Sequence, residues 1–126
     1  MKSDKWTVER HLAGRPKEIV ELYRKFIAMV ERSGSFTYSV SKTAITLKGS
    51  RRGFAGAKPK DRWLDGYLDL QRRVNDPRIR NSSPYTKRLF VHQFRVTRAD
   101  ELDDEFATWI QEAYRVGAGQ HLTSDP

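Results

Sequence analysis

The chain has 126 residues, no cysteine and a formal net charge of +8, with 37% hydrophobic and 32% charged side chains. That length fits one domain with a core that holds without staples, and the lack of cysteine excludes a disulfide framework and a thiolate zinc site. No run of about 20 apolar residues is present to cross a membrane, and residues 1–6 lack the apolar stretch of a signal peptide, so a cytoplasmic protein is expected.

Residues 6–12 predict a short leading helix with Thr7 as its cap. Gly14-Arg15-Pro16 interrupts it, and Pro16 suits the first position of a new helix, where a missing N–H costs nothing. Ile19, Leu22, Tyr23, Phe26, Ile27 and Val30 then recur at the spacing of an amphipathic helix, which Gly34 ends.

After Gly34 the apolar period changes from 3.6 to 2. Residues 35–41 alternate Phe36, Tyr38 and Val40 with polar positions, and residues 43–48 set Ile45 and Leu47 on one face. Gly49-Ser50-Arg51-Arg52-Gly53 reads as a charged turn, and residues 54–58 as a third strand that Pro59 ends. Residues 62–70 form a fourth, with Leu64, Leu68 and Leu70 inward and Trp63, Asp65, Tyr67 and Asp69 outward. Residues 71–84, rich in Asn, Ser and Pro, read as a loop. Residues 85–96 read as a long last strand with Phe90, His92, Phe94 and Val96 on one face.

Thr97 and Asp100 resemble an acidic capping box ahead of a second stripe of Leu102, Phe106, Trp109, Ile110 and Ala113, closed by Gly117 and Gly119. The expectation is an α+β two-layer sandwich, with both helices hiding their stripes on one face of a five-stranded antiparallel meander. A single domain spans residues 6–116, with flexible tails at 1–5 and 120–126.

Charge is unevenly spread. Residues 34–98 carry 15 basic and 4 acidic side chains, a net of +11, whereas residues 99–126 carry a net of −6. The cations Lys48, Arg51, Arg52, Lys58, Lys60, Arg62, Arg72, Arg73, Arg78, Arg80, Lys87 and Arg88 form a candidate anion-binding rim, with Trp63 and Tyr67 interleaved on the outward sheet face. Cations that track a backbone beside rings that stack bases suit single-stranded nucleic acid. A surface kept soluble by self-repulsion is the bland alternative, and the same two rings could instead cover the open face in a homodimer.

Catalytic signals are weak by comparison. His11, His92 and His121 have no metal-type spacing among themselves, and His92 on an apolar strand face reads as a satisfied core histidine. Asp65 and Asp69 share a face but stand roughly 13 Å apart along a strand, too far for paired carboxylate work. Ser50 lies in no nucleophile elbow, and the 49–53 turn, which could cradle a phosphate, matches neither phosphate-loop pattern. No catalytic residue, metal or cofactor is expected.

His11-Leu12-Ala13-Gly14-Arg15-Pro16, Ser41-Lys42-Thr43, Arg52-Gly53-Phe54-Ala55, Phe90-Val91-His92 and the helix from Trp109 to Ala113-Tyr114 resemble, in that order, the bacterial domain of unknown function family 5655. The resemblance runs over about residues 6–116. It implies an accessory or ligand-binding role, some relatives being labelled predicted transport proteins, and it carries no assigned catalytic residue.

Three readings follow. The leading one is a non-enzymatic binding domain whose basic surface engages an anionic partner: nucleic acid, a phosphorylated ligand or an acidic protein. The second is an interaction or homodimerisation module using Trp63, Tyr67 and the open face. The third is an enzyme with a site assembled across strands, around His92 and Arg95.

Overall fold

The structure, a computed structural model, describes residues 5–120, so His121 and nearly all of the two expected tails lie outside the described residues. The Thr7 side chain accepts from the Arg10 amide at 3.2 Å and starts α1 (Val8–Leu12). Pro16 leads into α2 (Lys17–Glu31), which buries Ile19, Leu22, Tyr23, Phe26, Ile27 and Val30 as the spacing requires. Six strands follow: β1 (Thr37–Val40), β2 (Ile45–Lys48), β3 (Gly53–Pro59), β4 (Leu64–Leu70), β5 (Ile79–Pro84) and β6 (Phe90–Val96). A 3-10 turn at Ala99–Glu101 then precedes α3 (Asp104–Gly117).

The strands pair antiparallel in the order β1-β2-β3-β4-β6-β5, so the α+β class holds but the five-stranded meander does not. The expected loop over residues 71–84 supplies an extra edge strand, and the expected strand over residues 85–96 begins only at Phe90. An edge strand with one side in solvent needs no apolar alternation, and β5 shows none beyond Ile79; its terminal Pro84 is tolerated there too. β6 carries Phe94 and Val96 into the core and therefore takes the inner place, paired on both sides, between β4 and β5. Residues 85–89 form the connecting turn, with the Tyr85 and Thr86 amides donating to the Leu89 carbonyl.

The second helix also starts later than Thr97 suggests. The Glu101 carboxylate, not that of Asp100, accepts the Thr97 and Arg98 amides, and Asp103 caps α3 by accepting from the Phe106 amide at 3.0 Å. Phe26 packs on Phe94 with ring centres 5.5 Å apart, Phe94 on Phe106 at 5.0 Å and Phe106 on Trp109 at 5.3 Å. Each such side chain contributes about 1.5–3 kcal/mol of gross burial energy, which fixes both helices on one sheet face. No described element covers the other face.

Candidate functional site on the open sheet face

Alternation along β4 sends Leu64 and Leu68 to the helices and Asp65, Tyr67 and Asp69 to the open face. The register sets Arg95, Gln93 and Val91 of β6 beside those three, and Gly56 and Lys58 of β3 opposite Tyr67 and Asp65. Gly56 is required here. A Cβ on it would stand 2.6 Å from the Tyr67 ring, so the glycine lets the ring lie across β3. Burial pushes the Tyr67 phenol up, against a hydrogen bond from the Thr46 side chain.

Hollows flank this ring. The larger, about 590 Å³, is bordered by Arg52, Gly53, Asp69, Tyr85, Val91 and Gln93. The smaller, about 280 Å³, is bordered by Thr43, Gly56, Lys58, Lys60 and Asp65.

Arg52 reaches the larger hollow because its turn is docked on α3. The Arg51 and Arg52 amides both donate to the Gly117 carbonyl, at 2.9 and 3.2 Å, capping the C-terminus of α3. Gly49 approaches so closely that a Cβ on it would meet the Gly117 carbonyl carbon at 2.6 Å. Those turn amides are engaged within the chain, which answers the phosphate-cradle reading: the anchoring is structural. The Arg52 guanidinium then donates through Nε to its neighbour's Gly53 carbonyl at 2.9 Å and through Nη2 to Asp69 Oδ2 at 2.8 Å.

Asp69 is only 3% exposed, and its Oδ1 is buried without a hydrogen-bond partner among the described residues. Burial pushes its carboxyl up to about 6, with Arg52 pulling the other way. The group can therefore accept a hydrogen bond when ionised or hold a proton just below neutrality.

At the smaller hollow the Lys58 ammonium is pushed down, first by burial and then by the charges of Lys60 and Arg15. Asp65 does not answer it: the Arg95 fork holds both Asp65 oxygens, at 2.8 and 3.1 Å. The same guanidinium stands 3.8 Å over Trp63, so that ring is covered by its own chain.

The remaining sequence candidates go elsewhere. Arg72 forks Glu112 of α3, Arg73 bonds Ser82 and stands 4.8 Å from the Phe90 ring, and Arg78 bonds Asp76, Asp103 and Glu105. Lys48, Arg51, Arg62, Arg80, Lys87 and Arg88 are exposed at separate strand ends and turns. The structure thus brings Arg52, Lys58, Lys60 and Tyr67 to one face, together with Trp63 and Arg95. It does not bring the rim together as one unbroken surface.

His92 is fully buried; its Nε2 accepts from the Val74 amide at 2.9 Å and its Nδ1 bonds the Phe90 carbonyl at 3.0 Å. Both nitrogens are used, and burial lowers its basicity, so it faces no cleft. His11 bonds the Ser41 carbonyl at 2.7 Å, tying α1 to the β1–β2 turn. Asp69, Tyr85 and Gln93 went unselected by the sequence reading. Asp69 carries a signal, an acid between Leu68 and Leu70 in a core strand, which its distance from Asp65 does not capture.

Among the described residues, no cluster of His, Asp or Glu could hold a metal ion, and no helix is long and apolar enough to cross a membrane. An open-faced antiparallel sheet backed by two helices, with hollows on the bare side, defines a two-layer α+β domain. A family model described as Domain of unknown function (DUF5655) matches residues 8–117, and the chain belongs to that family. Neither a curated protein nor a solved structure matches it.

Proposed function

We propose that this is a binding domain whose open, basic sheet face engages an anionic partner. One observation carries the reading: Lys58 and Lys60 converge on a hollow of the uncovered face, where burial first, and then the charges of Lys60 and Arg15, hold Lys58 below its ordinary basicity. An anion seated there would remove that repulsion and gain charge-assisted hydrogen bonds. The hollow's size and the internal pairing of Arg72, Arg78 and Arg95 favour a phosphorylated ligand, or a short stretch of nucleic acid, over a polyanion wrapped around the molecule. Self-association through this face is disfavoured, because it would set Lys58, Lys60 and Arg52 against their own copies.

The test is heparin affinity at low ionic strength, beside the Lys58→Ala/Lys60→Ala double variant. The wild type should be retained and released steeply by salt, and the double variant should elute markedly earlier. Wild-type protein that passes unretained ends the proposal.

A further inference from the structure

We infer that β1 is a pairing edge and that a second copy of this chain pairs with it, the two strands running antiparallel about Ser39.

The two edges of the sheet are built differently. β5 is defended: Pro84 ends it, the exposed Arg80 stands within it, its register shifts between Ile79 and Asn81, and Arg73 occupies the Ser82 carbonyl at 3.0 Å. Charge, proline and irregular register are the devices that keep an edge from pairing. β1 has none of them. Residues 35–41 hold no charge and no proline, and the ladder to β2 is unbroken from Thr37 to Val40.

The register shows which backbone groups are open. The Ser41 amide donates to the Ala44 carbonyl at 2.8 Å, so these two residues form a hydrogen-bonded pair of the ladder. Bonded pairs alternate with non-bonded ones, which assigns Ser39–Thr46 and Thr37–Lys48 to the bonded set. Tyr38 and Val40 therefore turn their N–H and C=O groups away from β2. Among the described residues, no strand lies on that side.

Their side chains add an apolar surface. Tyr38 sits across from Leu47 and Val40 from Ile45, both buried beneath the helices, so all four share the helix side. There Tyr38 and Val40 border a hollow of about 620 Å³ together with Trp6, Tyr23 and Ile27. Tyr38 is 44% exposed, with its ring centre 5.3 Å from that of Phe36. A strand added to this edge would cover it.

β1 is its own complement. With a two-fold axis at Ser39, Tyr38 of each copy meets Val40 of the other, their outward N–H and C=O groups pair, and serines meet at the axis. Charge does not oppose the contact. The strand has none, and the hollow beside it carries Glu9 and Glu31 as well as Lys5 and Arg24, so facing copies can match opposite signs. The open face, with Arg52, Lys58 and Lys60, offers no such match. The contact is short, so the dimer is weak and concentration-dependent.

Antiparallel joining also sets both open faces on the same side of one sheet, where a long anion reaches both Lys58–Lys60 hollows. That consequence rests on the anion reading above; the edge pairing does not.

The experiment is sedimentation velocity of the full chain at loadings from about 10 μM to about 1 mM, the range of a small interface. The wild-type mass should climb from that of one chain toward that of two. Val40→Pro removes an N–H that bonds nothing within the ladder, so it should keep native circular dichroism and stay monomeric throughout. Ser39→Lys sets two cations at the axis, should also stay monomeric, and serves if Val40→Pro fails to fold. Asn81→Lys on β5 should dimerise like the wild type. The chain has no cysteine, so single cysteines report the register. Under mild oxidation Ser39→Cys should form a disulfide-linked dimer about tenfold faster than Asn81→Cys.

A wild type that stays monomeric at the highest loading leaves the edge to a foreign strand and overturns the proposal. So does a dimer that survives both β1 substitutions, or crosslinking no faster at Ser39 than at Asn81. Heparin that raises the dimer fraction of the wild type, but of neither Val40→Pro nor Lys58→Ala/Lys60→Ala, supports the shared open face. A dimer that ignores heparin keeps the edge pairing and removes only that shared face.

Discussion

Arg78 and Asp69 are nearly buried ions on opposite sides of one sheet, and their surroundings differ. Arg78, on the helix side, donates through every guanidinium N–H: to both Asp76 oxygens, the Glu101 carbonyl, Asp103 and Glu105, at 2.7 to 3.1 Å. It also stands 4.7 Å from the Trp109 ring. Here the basic middle of the chain meets the acidic start of α3, and the charges cancel within the fold. On the open side Asp69 keeps one oxygen on Arg52 and has no partner for the other among the described residues, while Lys58 and Lys60 repel each other. A complete ion network is structure; the incomplete one borders a hollow on the uncovered face, where the proposed anionic partner would sit.

The contrast breaks first at Arg78. Arg78→Ala leaves Asp76 and Asp103 without their cation where the β4–β5 connection meets α3, and should cost about 4 kcal/mol in urea unfolding. Ligand affinity at the open face should stay unchanged in the fraction that remains folded. A loss under 1 kcal/mol would mean that the network is surface decoration.

Asp69 predicts the opposite pH behaviour from those paired acids. Its carboxyl rises from 3.8 to about 6 on folding, so its contribution to stability is fully present below the unfolded value and lost as pH rises through about 6. A rise of that size corresponds to about 3 kcal/mol. Asp76, held down by Arg78, and Asp103, held down by the Phe106 amide, lose their contributions in the other direction, as the pH falls. Subtracting the stability of Asp69→Asn from that of the wild type isolates the Asp69 effect. That difference should fall between pH 4 and 7, and a flat one would show that Asp69 is solvated.

How far these sites were legible follows from what each element needs. The α2 stripe from Ile19 to Val30 and the β4 alternation were plain, because burial on one face imposes a period. β5 was hidden, because an edge strand is stabilised by backbone pairing with β6 and asks little of its side chains. Its existence adds a sixth strand at the edge beyond β6 and makes Tyr85 a turn residue beside the larger hollow rather than a strand residue. Arg52 and Lys58 were selected as cations, yet nothing local distinguishes them from Arg72 or Arg78; pairing with Glu112 or Asp103 depends on the docking of α3. Asp69 was legible only as an oddity among leucines.

His92 sharpens the comparison, since it shows a buried polar group with every bond made. His92→Phe keeps a flat ring on the apolar face but adds volume and strands the Val74 amide, and should cost about 2 kcal/mol or more. Burial lowers the imidazole's basicity, so its contribution is present above 6.5 and lost as pH falls through the folded value. Its NMR shifts should stay those of the neutral ring at pH 6.5. A ring that titrates with the free value would place His92 in contact with solvent.

The smallest effect belongs to the pair that looks strongest on paper. Arg72 forks Glu112 with bonds of 3.0 and 2.8 Å, tying the end of β4 to α3. Its side chain is 54% exposed, so water competes for both ions and holding the long side chain in place costs entropy. Arg72→Ala should therefore lower stability by only about 0.5 kcal/mol, shrinking further in 1 M salt, where the Debye length falls to about 3 Å. Ideal geometry at the surface and imperfect geometry at Asp69 thus rank opposite to their energies, because desolvation sets the scale. A cost for Arg72→Ala as large as that for Arg78→Ala would reverse that ranking and remove the physical basis for separating structural from unsatisfied charge in this domain.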